Sequence, residues 1–221
     1  MNQNYCTTGG CSCPTPRMQP CQPEPDSRCG CADDFRTLLG ILCSPQLRSL
    51  IDFSGFGFIT ANWLLGTGLT EPIVGTASGD NLSGLTGTYV CGSAGCDALA
   101  VSGSLALAEV GSLSIPIPVT QVALCQLDAI AFTVISTAEN GFQTVSQTLS
   151  QLLEPRKTSC CSTVAGSLLD AAAARTATVT AGPLTVYNSV VLGTLGDVLV
   201  LANSSDERFY FVCAEKIGFI G

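Results

Sequence analysis

The sequence predicts a mainly β protein with short helices, built from two tandem barrel-like units of five strands behind a disordered, cysteine- and proline-rich N-terminal arm. Three observations lead to this prediction. The chain is 46% hydrophobic and only 12% charged, with 23 glycines, a composition that favours short strands and tight turns. Its apolar stretches alternate with polar residues and turn residues, as strands do. Similar segments recur in the same order in both halves, which indicates a duplicated unit.

The arm comprises residues 1–31, in which proline, glycine and polar residues separate six cysteines. These are Cys6, Cys11, Cys13, Cys21, Cys29 and Cys31. Three functions compete for such a segment: binding metal, forming an intrachain disulfide scaffold, or cross-linking copies of the protein. The spacing fits a zinc site poorly, because structural zinc favours Cys-x2-Cys pairs whereas the arm has Cys-x4-Cys, Cys-x-Cys and Cys-x7-Cys spacings. A flexible arm can instead bring its thiols to a neighbouring subunit.

The first unit is predicted over residues 32–138. Asp33 and Asp34 stand just before a helix predicted over Phe35–Leu42, where carboxylates interact favourably with the helix dipole. The longest uncharged runs, Phe53–Thr70 and Val110–Leu127, are interrupted by glycine or proline and by polar residues. They therefore predict strands rather than membrane-spanning helices.

The second unit is predicted over residues 139–221 and begins with a helix at Phe142–Leu153, which Glu154 and Pro155 end. A second helix is predicted at Ser162–Ala174, which is rich in alanine. Five strands should follow it. Their predicted ranges are Thr176–Thr180, Leu184–Leu192, Val198–Ala202, Arg208–Cys213 and Lys216–Ile220.

The predicted duplication depends on segments that align in order between the two halves. The clearest pairs are Cys43–Asp52 with Cys161–Asp170, Gly92–Val101 with Gly193–Leu201, and Cys125–Phe132 with Cys213–Phe219. The alignment places Cys125 and Cys213 at equivalent strand positions, where each is expected to be a buried core thiol. The remaining body cysteines include Cys91 and Cys96, which flank a predicted turn.

The second unit resembles the small five-stranded barrels of the Sm-like or SH3-like kind. The resemblance is carried by the leading helix, the Gly-Pro-Leu turn, the strand GDVLVL and the final YFVCAEKIGFI. It implies barrel closure, which removes exposed sheet edges. A single larger β-sandwich spanning both halves is the alternative.

The charge balance argues against several functions. The net charge is −8 with nine Lys and Arg residues, which disfavours nucleic-acid binding. The chain has no histidine, so Ser–His and Cys–His catalysis is excluded. No phosphate-binding loop or nucleophile elbow is visible. We therefore predict no enzyme activity, no cofactor, no metal site and no membrane partner.

Thirteen cysteines without a recognisable signal peptide pose a conflict, because disulfide-rich proteins are normally exported. Oxidation after assembly would resolve it. Vicinal Cys160 and Cys161 follow Arg156 and Lys157, whose charges favour the reactive thiolate. The predicted intermolecular cross-linking residues are therefore the six arm cysteines, Cys6, Cys11, Cys13, Cys21, Cys29 and Cys31, together with Cys160 and Cys161.

The cysteine-rich arm, scattered body cysteines and low-charge Thr/Ser/Gly/Val body resemble the structural proteins of bacterial spore surfaces, namely coat, exosporium and appendage proteins. The resemblance implies synthesis in the mother-cell cytoplasm and self-assembly into a disulfide-cross-linked layer or fibre. The implied partners are further copies of the chain and other spore surface proteins. A cysteine-rich metal-binding protein is the main alternative, and a soluble redox-sensing or scaffold module is another.

Overall fold

A computed structural model describes residues 31–59, 73–75, 85–95, 98–106, 116–135, 137–153, 176–182 and 184–221. In these ranges the chain forms helices α1 (Ala32–Leu42) and α2 (Gly141–Leu152) and eleven strands. The strands are β1 (Ile51–Ile59), β2 (Ile73–Gly75), β3 (Leu85–Ala94), β4 (Ala98–Ala106), β5 (Pro116–Ala123), β6 (Ala129–Val134), β7 (Thr176–Ala181), β8 (Leu184–Leu195), β9 (Val198–Asn203), β10 (Arg208–Cys213) and β11 (Ile217–Ile220). The prediction of a mainly β protein with short helices is confirmed.

The strands form one open sheet. Ten of them pair antiparallel in the order β11-β7-β8-β9-β10-β6-β1-β3-β4-β5, and β2 pairs in parallel with β8. β11 and β5 stand at opposite ends of this order, so the sheet does not close. The prediction of two closed five-stranded barrels is therefore wrong, and the described strands do not divide into the two sheets of a sandwich.

The reason lies in the pairing of β6. This strand belongs to the predicted first unit, yet one of its edges pairs with β10 of the predicted second unit, with Phe132 opposite Phe209. Its other edge pairs with β1. Because strands from the two halves complete each other's hydrogen-bond ladders, neither half has to close on itself. The boundaries predicted for the arm and the two units stay predictions.

The strands predicted in the second half are confirmed as β7 to β11. β10 has the predicted bounds, whereas β11 begins one residue late because Ala214–Lys216 forms a short 3-10 helix. A similar 3-10 helix, Leu124–Gln126, precedes β6. The two cysteine-containing segments that were aligned in the sequence thus have similar local structure, while the duplication itself stays a prediction. The predicted helix Ser162–Ala174 lies outside the described residues.

Both helices pack on one face of the sheet. α1 buries Phe35, Leu38, Leu39 and Leu42, which recur at helical spacing, and the predicted helix at this position is confirmed. α2 contributes residues such as Leu149 to the same core. The central strand β9 is buried along its whole length, because its two faces belong to two different hydrophobic clusters. This explains why its first five residues, 198–202, are all apolar.

A row of aromatic rings crosses the helix-covered face. Tyr89 contacts Phe56, Phe56 stacks on Phe132, and Phe132 stacks on Phe209, with ring centroids 5.6, 5.5 and 5.3 Å apart. Phe209 then stacks on Phe142 of α2 at 4.8 Å. Aromatic pairs in this range add stabilisation beyond their buried area. The row therefore ties β3, β1, β6, β10 and α2 into one core.

Of the helices in the described ranges, none combines the length and apolar character that crossing a membrane requires.

Candidate functional site

Disulfide bonds are the most prominent chemical feature of the described residues. Five cysteines lie in the described residues, and all five are disulfide-bonded. Cys31 pairs with Cys213, and Cys43 pairs with Cys91; Cys125 is also bonded. Cys31 and Cys43 flank α1, so these two disulfides fasten the helix to the sheet at its two ends.

The predicted cross-linking residues fall into two groups. Cys31 is paired inside the chain, which differs from the expectation that it bridges two copies. The other seven lie outside the described residues, so their role stays a prediction; they are Cys6, Cys11, Cys13, Cys21, Cys29, Cys160 and Cys161. Cys213 is buried as expected, but it is a disulfide partner and not a free core thiol, and Cys125 is likewise oxidised.

The Cys31–Cys213 disulfide joins the start of α1 to the end of β10. Its Cα atoms are 5.7 Å apart and its residues are separated by 182 positions in the chain. Cys31 is only 5% exposed and Cys213 3%. A thiolate from solvent must reach a sulfur atom to open a disulfide, so this burial protects the bond.

A hydrogen-bonded turn lies beside this disulfide. The backbone N–H of Asp197, in the turn between β8 and β9, donates to Asp34 Oδ2 of α1 over 2.8 Å. The N–H of Ala214 donates to the Asp197 carbonyl over 2.7 Å. Gly196 has φ +55°, and a Cβ atom there would overlap the Asp34 carboxylate. Glycine is thus required both by the backbone conformation and by the close approach of α1.

The same contact changes the acidity of Asp34. Burial of its carboxyl raises the pKa above the usual 3.8, the Asp197 N–H opposes this shift, and the nearby carboxylates of Asp197 and Asp33 add to it. The dominant cause is the loss of water around the charged form. Asp34 therefore accepts a hydrogen bond that holds the turn against α1, while burial disfavours the charged form of its carboxyl.

The Cys43–Cys91 disulfide has a different environment. It joins the residue that follows α1 to β3, with Cα atoms 5.6 Å apart and a separation of 48 positions. Both residues are only partly buried. Cys43 lines an open recess of about 520 Å³ together with Pro45, Arg48 and Ser49. Arg48 is exposed, so the recess carries a solvated positive charge.

Asp128 is the most deeply buried acidic residue described. It is 3% exposed, and the Nζ atom of Lys216 lies 4.0 Å from its Oδ1. Its backbone N–H donates to the Ile59 carbonyl, and its carbonyl accepts from the Cys213 N–H. The backbone of Asp128 therefore sits where β1, β6 and β10 meet, and its carboxylate lies close to Gly182, which follows β7. No local pattern in the sequence signals the burial of Asp128.

Within the described ranges, no group of three or more His, Cys, Asp or Glu residues is arranged to hold a metal ion.

The fold and these bonds define a low-charge, disulfide-bonded β protein, whose distinctive groups are sulfur atoms on either side of one helix. The chain belongs to the spore coat protein CotA-like family, whose sequence profile matches residues 29–221. It is 25% identical over 263 aligned residues to the spore coat protein CotA of Clostridioides difficile (strain 630), covering 87% of this chain and 83% of that protein. No solved structure matches the chain.

The resemblance to cysteine-rich spore surface proteins is therefore confirmed. Membership of a spore coat protein family implies that the protein is structural and lies at the spore surface. The family match indicates no enzymatic role. All five described disulfide-bonded cysteines lie within the matched region. Of the undescribed arm cysteines, Cys29 lies within it, and the other four precede it; these are Cys6, Cys11, Cys13 and Cys21.

Proposed function

We propose that this protein is a building subunit of the spore surface that self-assembles into a layer or fibre and is then cross-linked by disulfides between copies. It would be made in the mother-cell cytoplasm and join further copies of itself and other spore surface proteins. Non-covalent contacts would select the neighbours, and cysteines would then fix those contacts covalently.

The observation that carries the proposal is the open sheet. Its terminal strands β11 and β5 each have an outer edge in the described strand order, and unpaired edges are templates for another chain. β5 contains Pro116 and Pro118, which lack the N–H groups that continuous pairing needs. β11 has only four residues. Edge pairing alone would therefore be weak, which leaves a role for covalent bonds.

Exposed apolar side chains near the β11 end of the sheet also support association. Phe219 of β11 is 54% exposed, and Tyr187 and Val190 of β8 are exposed as well. β7 lies between these two strands in the sheet. Because only 12% of the chain is charged, few charged side chains would have to lose their water when copies come into contact.

The metal-binding alternative gains no support from the described residues. Their five cysteines are oxidised, and a disulfide sulfur is not the thiolate that metal ions bind. The alternative would have to depend on cysteines outside the described residues, five of which belong to the arm.

The test is electron microscopy and non-reducing electrophoresis of purified full-length protein, oxidised and then treated with dithiothreitol. We expect sheets, rings or fibres that withstand heat and detergent until the reductant is added. A protein that stays monomeric under oxidising conditions would overturn the proposal.

A matched variant separates covalent from non-covalent contacts. It replaces by serine five arm cysteines while keeping the internally paired Cys31; these are Cys6, Cys11, Cys13, Cys21 and Cys29. We expect it to assemble but to dissolve in detergent. A second variant, Cys160→Ser with Cys161→Ser, tests the vicinal pair in the same way. If both sets are replaced together and the assemblies remain detergent-resistant, the predicted cross-linking residues are wrong.

A further inference from the structure

We infer that the Cys43–Cys91 disulfide is an acceptor site, at which a cysteine thiolate from a second copy of the chain enters by thiol–disulfide exchange and becomes joined to Cys43. The inference rests on the proposed function and names the place on each subunit where the intermolecular bond forms. It comes from the difference in environment between Cys31–Cys213 and Cys43–Cys91, the two disulfides for which both residues are described.

The two disulfides differ in how easily a thiolate can reach their sulfur atoms. Exchange requires in-line approach of a thiolate to one sulfur. Cys31 and Cys213 are 5% and 3% exposed, which denies that approach. Cys43 and Cys91 are partly exposed, and Cys43 borders an open recess of about 520 Å³. A cysteine side chain of another subunit fits in such a recess.

Charge favours the same bond. Arg48 and Cys43 line the recess together. A guanidinium stays protonated at every relevant pH, so it attracts the anionic thiolate and stabilises the negative charge that spreads over the sulfurs during exchange. Pro45 and Ser49 complete the described lining and are uncharged.

The reaction balances without an external oxidant. The incoming thiolate attacks the Cys43 Sγ, a new S–S bond forms there, the Cys43–Cys91 bond breaks, and Cys91 leaves as a thiolate. One thiolate is consumed and one is released. Because the chain has thirteen cysteines, at least one thiol in each copy has no partner within that copy. That thiol can attack the next subunit, and repetition of the step links copies in series while the number of thiols stays constant.

The first test uses reduced glutathione as the probe on the oxidised full-length protein at pH 8. Samples taken over time are acidified, alkylated with N-ethylmaleimide and mapped by mass spectrometry without reduction. We expect a glutathione–Cys43 disulfide with alkylated Cys91 to form at least about tenfold faster than any adduct on Cys31 or Cys213. Equal or faster opening of the buried pair, or an adduct confined to Cys91, would overturn the inference.

Variants of Arg48 test whether its positive charge speeds the exchange at Cys43. Arg48→Gln should slow the formation of the Cys43 adduct about threefold to tenfold at low salt, and Arg48→Lys should keep most of the rate. Added salt should shrink the difference between them. Equal rates for all three proteins at low salt would remove Arg48 from the proposed site.

The second test uses assemblies grown from an equal mixture of unlabelled and ¹⁵N-labelled chains. We expect cross-linked peptides that contain Cys43 and carry one label from each chain. If the assemblies are covalently cross-linked while Cys43 is still joined to Cys91, the inference fails and the proposed function stands. If no cross-linked assembly forms, the proposed function fails, and the glutathione rates still decide whether this disulfide is the reactive one.

Discussion

The two disulfides at the ends of α1 share one chemistry but differ in surroundings. Cys31–Cys213 is buried against the turn between β8 and β9, and it links positions 182 residues apart. Cys43–Cys91 borders an open recess and links positions 48 residues apart. The comparison teaches that two disulfides at the ends of one helix can differ sharply in how open they are to an attacking thiolate.

The energies of the two bonds are closer than their exposures. In the chain-entropy description, closing loops of these lengths stabilises the fold by about 5 and about 4 kcal/mol. The difference of about 1 kcal/mol follows from the logarithm of loop length. Both bonds therefore support folding, and only accessibility separates them sharply.

The largest effect should follow from removing the buried bond. The double variant Cys31→Ala with Cys213→Ala should lower the free energy of unfolding by about 5 kcal/mol, because the unfolded chain regains the entropy of a long loop. The loss should be visible as a lower urea midpoint for assembly-free protein. A decrease below about 1 kcal/mol would show that burial and the Asp34–Asp197 contact hold this junction without the disulfide.

Removing the accessible bond should cost less. Cys43→Ala with Cys91→Ala should lower the free energy of unfolding by about 4 kcal/mol or less, because the loop is shorter and the partly exposed site leaves little cavity behind. The two double variants should be compared in one urea series at one protein concentration. A larger loss here than at the buried pair would reverse the roles that we assign to them.

The sequence predicts the second half of the fold better than the first. β7 to β11 could be located because alternating apolar residues and turn residues such as Gly182 and Gly196 mark their ends. These are local signals. The pairing of β6 with β10 is not local, and it decides that the sheet stays open. The barrel prediction is wrong at that step, because it requires the strands of each half to pair only with one another.

The candidate site shows the same limit. The abundance of cysteine indicates a role in cross-linking, but spacing does not determine which cysteines pair. Cys31 appears in the sequence as the last thiol of the arm, yet its partner is 182 residues away. Asp34 has a local signal as an acidic residue in the first turn of α1, whereas its contact with Asp197 arises only when α1 packs on the β8–β9 turn.

The smallest predicted effect concerns the acidity of Asp34 at the buried junction. Its pKa in the folded protein lies above the usual 3.8, mainly because of burial. Between these two pKa values the folded protein binds more protons than the unfolded chain, so the free energy of unfolding should fall as the pH rises through this window. Asp34→Asn should remove that part of the pH dependence. Asn keeps an oxygen acceptor for the Asp197 N–H and has no charge to desolvate, so this variant should be slightly more stable at pH 7, by less than about 0.5 kcal/mol.

Two further variants make this measurement specific to the junction. Asp34→Ala deletes the acceptor and should cost about 1 kcal/mol at pH 7, because the Asp197 N–H loses this hydrogen bond. Glu139→Gln removes an exposed carboxylate elsewhere and serves as the matched charge control. The check is urea unfolding from pH 3 to pH 7. If Asp34→Asn keeps the full pH slope of the unchanged protein, the Asp34 carboxyl titrates alike in the folded and unfolded chain. Water would then reach the junction beside Cys31–Cys213, and the contrast in burial between the two disulfides would be smaller than we describe.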